Sequence, residues 1–243
     1  MDADHLVAHR GDPKRYPENT RVSLEAAVSA GARFLEFDIQ FSADGVPVLF
    51  HDADLQRCSN GSAAIAEQAW EELAKLSAGE PLRFGERFAS ERIPRLDDTA
   101  RWLAGNPDVF SFVELKREVL DHFTREEVLE RLAVDLQPIR GRFSLITFDH
   151  DLLALARSRG FDQIGWVLEN LQCRTLAESL APDELFIDRA KLDADFQPWP
   201  GPWKWAVYCV DKREELQGWM ARGFHYVESN CIGELLEGSA HGE

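Results

Sequence analysis

Positive charge is scarce in this chain of 243 residues: 27 Lys and Arg stand against 43 Asp and Glu, for a formal net charge of −16. Surfaces that bind nucleic acid or anionic membranes neutralise phosphates with clustered Lys and Arg, so neither a nucleic-acid partner nor stable membrane association is expected. Long apolar runs are missing too, and none approaches the ~18 residues that cross a bilayer. The opening Met1-Asp2-Ala3-Asp4-His5 has neither a basic segment nor an extended apolar one. No secretory leader is therefore expected, and the cytoplasm is the expected compartment. Cysteine is sparse: Cys58, Cys173, Cys209 and Cys231 match no zinc or redox spacing. Buried or incidental free thiols are expected, with Cys58 and Cys231 the two that exposure would suit. Repeats and low-complexity tracts are absent. A small phosphorylated substrate survives these exclusions, because a metal ion can reverse the local sign of a carboxylate-lined site.

Apolar residues make up 44% of the chain, with 15 Phe and 7 Trp, enough to bury a full core. Strand-like runs recur at Leu6–His9, Phe34–Gln40, Phe110–Lys116, Ser144–Phe148, Gln163–Leu168, Leu185–Asp188, Trp205–Val210 and Tyr226–Ser229. Helical periodicity fills most intervals, at Asn19–Ala30, Asp97–Ala104, Arg125–Leu136, Asp149–Arg159, Leu171–Leu180 and Lys212–Ala221. Asn19 or Thr20 is placed to cap the first helix. Gly31, Gly105, Gly160 and Gly223 follow four of them, where a left-handed residue ends a helix. Alternating strands and helices imply parallel pairing, and eight such units imply a closed α/β architecture, the TIM (β/α)8 barrel, as one domain over residues 1–243.

One interval breaks the alternation. Only six residues separate Ile39 from Val46, with the turn signature Ala43-Asp44-Gly45 among them, too few for a parallel crossover. Pro47–His51 is therefore expected to fold back antiparallel as a hairpin extension at the C-terminal rim. A small insertion at about 54–92, helical near Glu67–Lys75, then sits above that rim.

The chemistry-bearing residues fall at strand ends. Leu35, Phe37, Ile39 and Phe41 alternate strictly with Glu36, Asp38 and Gln40, which turns the two acids into the barrel. Adjacent inward carboxylates repel and lose hydration, so a divalent cation between them is the natural solution. Glu114 occupies an inward position on the next strand, ~4.8 Å away, and completes a three-carboxylate set. Oxygen ligands suit Mg²⁺ or Ca²⁺ better than zinc. Lys116 lies two residues nearer the rim, placed for an anionic group or a salt bridge to these acids. His9 and His51 end the first strand and the returning hairpin arm, on the rim where barrel sites gather, and offer proton transfer near neutral pH. Arg10 offers a planar fork for phosphate oxygens, and Gly11 a place where backbone can approach a ligand. His5, His122, His150, His225 and His241 lack such company and are read as surface or packing residues.

In order along the chain stand His9-Arg10-Gly11, Pro17-Glu18-Asn19-Thr20, Glu36-x-Asp38, Asp44-Gly45-Val46-Pro47-Val48, His51-Asp52 and Glu114-Leu115-Lys116. With Leu55-x-Arg57, Asn60-Gly61, Ile93-Pro94-x-Leu96 and Phe148-Asp149, this pattern resembles the glycerophosphodiester phosphodiesterase family. The resemblance implies catalytic histidines at His9 and His51, metal ligands at Glu36, Asp38 and Glu114, and phosphate contacts at Arg10 and Lys116. It further implies hydrolysis of a small glycerophosphodiester to glycerol 3-phosphate and an alcohol. Lysophospholipid hydrolysis of the lysophospholipase D kind and a catalytically silent phosphate-binding protein are the alternatives.

Toward the C-terminus the chain departs from the family. Tyr208-Cys209-Val210-Asp211 stands where Trp-Thr-Val-Asn is usual, and Tyr226-Val227-Glu228-Ser229-Asn230 where a Gly-Ile-Ile-Thr-Asp-like end is usual. Tyr208 and Phe148 remain candidates to face the substrate. Trp199, Trp203 and Trp205 invite a lipid-binding reading, but the first two precede a strand on the opposite, N-terminal face, so packing is expected.

Overall fold

A computed structural model describes residues 3–237, so His241 lies outside the described residues. The elements run β1 (Leu6–His9), α1 (Arg21–Ser29), β2 (Phe34–Phe41), β3 (Pro47–Leu49), α2 (Trp70–Leu73), α3 (Pro81–Phe84), α4 (Leu96–Ala104) and β4 (Phe110–Leu115). Then come α5 (Arg125–Asp135), β5 (Phe143–Thr147), α6 (His150–Ser158), β6 (Ile164–Leu168), α7 (Arg174–Leu180) and β7 (Glu184–Asp188), followed by β8 (Lys204–Tyr208), α8 (Arg213–Ala221), β9 (Tyr226–Ser229) and α9 (Ile232–Glu237). The parallel strands follow the order β1-β9-β8-β7-β6-β5-β4-β2, and β2 pairs back to β1, closing a TIM barrel.

β3 is the antiparallel arm expected from the short turn. It pairs Ile39 with Leu49 and Phe41 with Pro47, along the edge of β2 that β1 leaves after His9 pairs with Glu36. The barrel wall therefore continues upward beside the site as a hairpin, and His51 arrives next to the end of β1.

The alternating strand pattern divides the core. Leu35, Phe37 and Ile39 pack outward with helix residues such as Leu24, Leu103 and Leu129. Val7, Phe112, Ile146, Val167, Phe186 and Ala206 fill the barrel's lower interior. The insertion has a cluster of its own, Leu55, Cys58, Ile65, Leu73 and Ala78, seated on Val48 and Phe50 of the hairpin arm.

Local details refine the expectations. Thr20 caps α1 by accepting from Ser23 N, whereas Asn19 adopts φ 55° and turns toward the barrel. Gly31, Gly160 and Gly223 have positive φ as helix stops should, but Gly105 ends α4 at φ −77°. The helix expected near Glu67–Lys75 is only the one turn of α2, and α9 was not anticipated. Cys58 and Cys231 are buried rather than exposed, since one belongs to the insertion core and the other precedes α9; all four cysteines are free. Trp203 and Trp205 are buried, and both indoles donate to Trp199 O, consistent with packing. No described helix is long and apolar enough to cross a membrane.

Candidate active site

Glu36 and Asp38 project into the barrel from β2, each 1% exposed. Register places Asp38 directly opposite Glu114 of β4, and one oxygen from each of Glu36, Asp38 and Glu114 lies within 4.8 Å of the others. Lys116, carried past the end of β4 by its amide donating to Ile39 O, sets its Nζ 2.8 Å from Glu114 Oε1 and 3.4 Å from Asp38 Oδ1.

Arg10 grips the same acids from β1. Its left-handed backbone, φ 57°, lets its amide donate to Glu36 O at 2.9 Å and Glu36 Oε2 at 3.1 Å. Its guanidinium reaches Glu18 Oε1 at 2.9 Å and Asp38 Oδ2 at 3.0 Å. Asn19 binds Asp38 twice, Nδ2 donating to Oδ2 at 2.8 Å and Oδ1 accepting from the Asp38 amide at 3.1 Å.

These contacts separate the two acids electrostatically. Burial alone would raise the Asp38 carboxyl, but Arg10, Lys116, His51 and Asn19 outweigh it and hold the group well below the usual carboxylate range. Glu36 is pushed well above that range, first by burial and then by Asp38, Glu228 and Glu114. Its Oε1 is buried without a hydrogen-bond partner. Three converging carboxylates, one with an orphaned oxygen, fit a hard divalent cation. A second group of donors, Glu18, Cys58 and Glu80, is different: Glu18 binds Arg10 and Arg57, and Glu80 binds Arg83 and the Glu18 amide.

Both histidines line the cavity above this centre. His9 Nδ1 lies 2.8 Å from Asn230 Oδ1, with Cys209 Sγ at 3.3 Å, while its Nε2 is 3.9 Å from Glu36 Oε2. Burial, then Arg10, pushes the His9 pKa down to about 4. His51 Nδ1 lies 2.6 Å from Asp52 Oδ1. Hydrogen bonds from Arg57, then the one from His51, draw Asp52 down to about 2 against the effect of its burial. Arg57 continues to Glu18 through two more bonds of 2.8 and 2.7 Å. Glu18 thereby ties the His51 support to Arg10 just after β1.

His9, Arg10, His51, Glu114, Lys116, Phe148 and Tyr208 all line one cavity of about 290 Å3, while Glu36 and Asp38 lie beneath it. Every site residue expected from the sequence is thus brought together. At Gly11 a Cβ would meet Ser23 Oγ at 2.4 Å, so its small size serves the close approach of α1. His5 Nδ1 lies 2.9 Å from His225 O, and His150 packs its ring edge-on against Trp166.

The cavity also holds residues to which the sequence reading gave no role. Glu228, on β9, is 3% exposed with Oε1 lacking a partner, and burial together with Glu114 and Asp38 pushes it well above the usual range. Its signal was legible: Glu228 alternates with Val227 as Glu36 does with Phe37. Asp188 and Cys209 also line the cavity. Glu18, Asp52 and Arg57 were visible only as motif members and Asn19 only as a motif member or helix cap, because their partners are distant in sequence.

The sequence pattern that defines the glycerophosphoryl diester phosphodiesterase family matches residues 9–160. The chain belongs to this family. The match runs from the last residue of β1 through α6 and includes both histidines and all three converging acids. The chain is 36% identical over 145 residues to the glycerophosphodiester phosphodiesterase of Caldanaerobacter subterraneus subsp. tengcongensis, a stretch covering 60% of this chain and 58% of that protein. Among solved structures, a phosphodiesterase of Oleispira antarctica in complex with the product sn-glycerol-3-phosphate superposes with TM-score 0.83 at 23% identity, covering 97% of this chain and 96% of that one. A glycerophosphodiester phosphodiesterase of Agrobacterium tumefaciens gives 0.76 at 23% identity, over 96% and 99%. These superpositions extend the family's barrel through β6 to β9, beyond the matched stretch.

Proposed function

We propose that this protein hydrolyses small glycerophosphodiesters to glycerol 3-phosphate and an alcohol. The observation that carries this reading is the single cavity into which His9, His51, Arg10 and Lys116 project above three converging carboxylates. The Oleispira relative, with sn-glycerol-3-phosphate bound as product, supports the same substrate class. Barrel and insertion act as one catalytic unit in this reading, since Arg57 of the insertion supports the rim histidine.

Glu36, Asp38 and Glu114 would hold the divalent cation, Mg²⁺ or Ca²⁺, which when bound supplies positive charge to the phosphoryl oxygens. Arg10 and Lys116 add fixed positive charge at the same place and orient the diester. His9, kept neutral by burial, accepts the proton of the attacking oxygen at the ring nitrogen turned away from Asn230. His51, oriented by Asp52, returns a proton to the departing alkoxide. The attacking oxygen comes from water, or from a neighbouring substrate hydroxyl with water then opening the cyclic phosphate.

An assay of glycerophosphodiesters and lysophospholipids bearing the same head groups, with Mg²⁺ or Ca²⁺ added, tests this. Release of glycerol 3-phosphate, abolished by chelation and by the folded double variant Glu36→Gln/Asp38→Asn, is expected. Preference for the lysophospholipids would assign the alternative substrate. Normal turnover by the double variant would overturn the carboxylate site.

A further inference from the structure

His9 meets the end of β9 through a short relay. Its Nδ1 lies 2.8 Å from Asn230 Oδ1, the Asn230 Nδ2 lies 3.2 Å from Asp211 Oδ2, and Asp211 Oδ1 accepts from the Asn230 amide at 2.8 Å and from Ser229 Oγ at 3.0 Å. An ionised carboxylate only accepts, whereas a side-chain amide has one accepting and one donating end. The NH₂ of Asn230 must therefore face Asp211, which leaves its oxygen facing His9. An oxygen there requires a proton on His9 Nδ1, and the neutral ring then carries its lone pair on Nε2.

The geometry points to Asn230 and Asp211 as a positioning pair that fixes His9 in the Nδ1–H tautomer and so presents Nε2 to the cavity as the base. Cys209 is compatible with this state, because its sulfur, 3.3 Å from Nδ1, is a weak acceptor. The opposite side of the ring agrees: Nε2 lies 3.9 Å from Glu36 Oε2, beyond hydrogen-bond distance. These are also the two positions at which the sequence exchanges the family's usual Asn and Asp. The structure makes them one contact, and either order of the pair can present an acceptor to Nδ1. Neither residue touches the reacting atoms; both act through the histidine. The role of base rests on the reaction proposed above, but the tautomer does not.

The test is ¹⁵N–¹H long-range NMR of histidine-labelled, metal-free protein at neutral pH, with His9 assigned by its loss in His9→Gln. The wild type is expected to show Nδ1–H, and an Nε2–H ring would overturn the inference. In Asp211→Asn, the new amide donates toward Asn230, whose side chain turns over and presents NH₂ to His9. That variant is expected to switch the ring to Nε2–H and lower kcat by about 100-fold with KM little changed, the lower end of what a positioned base contributes. The exchange Asp211→Asn/Asn230→Asp restores an acceptor to Nδ1, and with it the original tautomer and most of kcat. An unchanged tautomer in Asp211→Asn, or no return to Nδ1–H in the exchange, would overturn the role of the pair. If the single variant does not fold, the exchange still tests the pair, because an Nε2–H ring there would overturn its role. Nδ1–H in a wild type that turns over no glycerophosphodiester would refute the activity while leaving the tautomer assignment intact.

Discussion

Asp52 and Arg57 face one another through two hydrogen bonds, Nε to Oδ2 at 2.7 Å and Nη2 to Oδ1 at 2.9 Å. The same Asp52 Oδ1 lies 2.6 Å from His51 Nδ1, so the guanidinium fixes the carboxylate and the carboxylate fixes the ring. Bidentate arginine pairing is directional, and lysine cannot reproduce it. Asp52→Asn is expected to lower kcat by about 100-fold, the lower end of what a positioned acid contributes, with a smaller change in KM, and Arg57→Lys to have a milder effect in the same sense. Steady-state kinetics on a glycerophosphodiester checks both. A change confined to KM would show that His51 needs no such support.

The orphaned Glu36 Oε1 makes a direct prediction for metal removal. Isothermal titration of metal-free protein with Mg²⁺ or Ca²⁺ is expected to show one site. In Glu36→Gln the affinity should fall by more than about 100-fold, since even residues that only support metal ligands change affinity by about 10- to 100-fold.

Burial lowers His9 to about 4, against an unfolded value near 6.5. Between these pH values the unfolded chain binds the additional proton. The His9 contribution to stability is therefore complete above about pH 6.5 and is lost as pH falls toward 4. NMR titration of the metal-free protein should find His9 still neutral at pH 5, while an ordinary histidine would be mostly charged there.

Glu228 titrates in the opposite sense. Its raised folded pKa means that the folded chain keeps a proton which the unfolded chain releases, so its cost to stability grows as pH rises above the unfolded carboxylate range. Glu228→Gln is expected to stabilise the metal-free protein by about 1–3 kcal/mol near neutrality and by little at pH 4. Urea denaturation at the two pH values measures the difference, and a gain that is larger at pH 4 would contradict the assignment.

Gly11 combines φ 90° with the Ser23 backbone carbon 2.6 Å from where a Cβ would stand. Gly11→Ala should cost about 2–4 kcal/mol, from strain at positive φ and from overpacking. Urea denaturation gives the value. An alanine variant of native stability would show that α1 can retreat from the loop without penalty.

The amino-acid sequence by itself determined the barrel and the near half of the site. Glu36 and Asp38 alternate with apolar neighbours, and a period of two leaves them only one side to occupy, so their inward direction is a local property of β2. The turn at Ala43-Asp44-Gly45 is local as well: its shortness forces the hairpin that carries His51 to the rim. Tertiary structure decided what faces those residues. Nothing within β9 says that Asn230 meets His9 and Asp211 together, nor within the insertion that Arg57 reaches Glu18. Closure of the sheet brings β9 against β1, and the seating of the insertion on the hairpin carries Arg57 across to the loop after β1. Charge divides in the same way. The excess of acid over base was a property of composition, but whether an acid serves the surface or the site depends on burial. Asp38 and Glu36, two residues apart on one strand, are driven in opposite directions because Arg10, Lys116 and Asn19 converge on the first while buried acids surround the second.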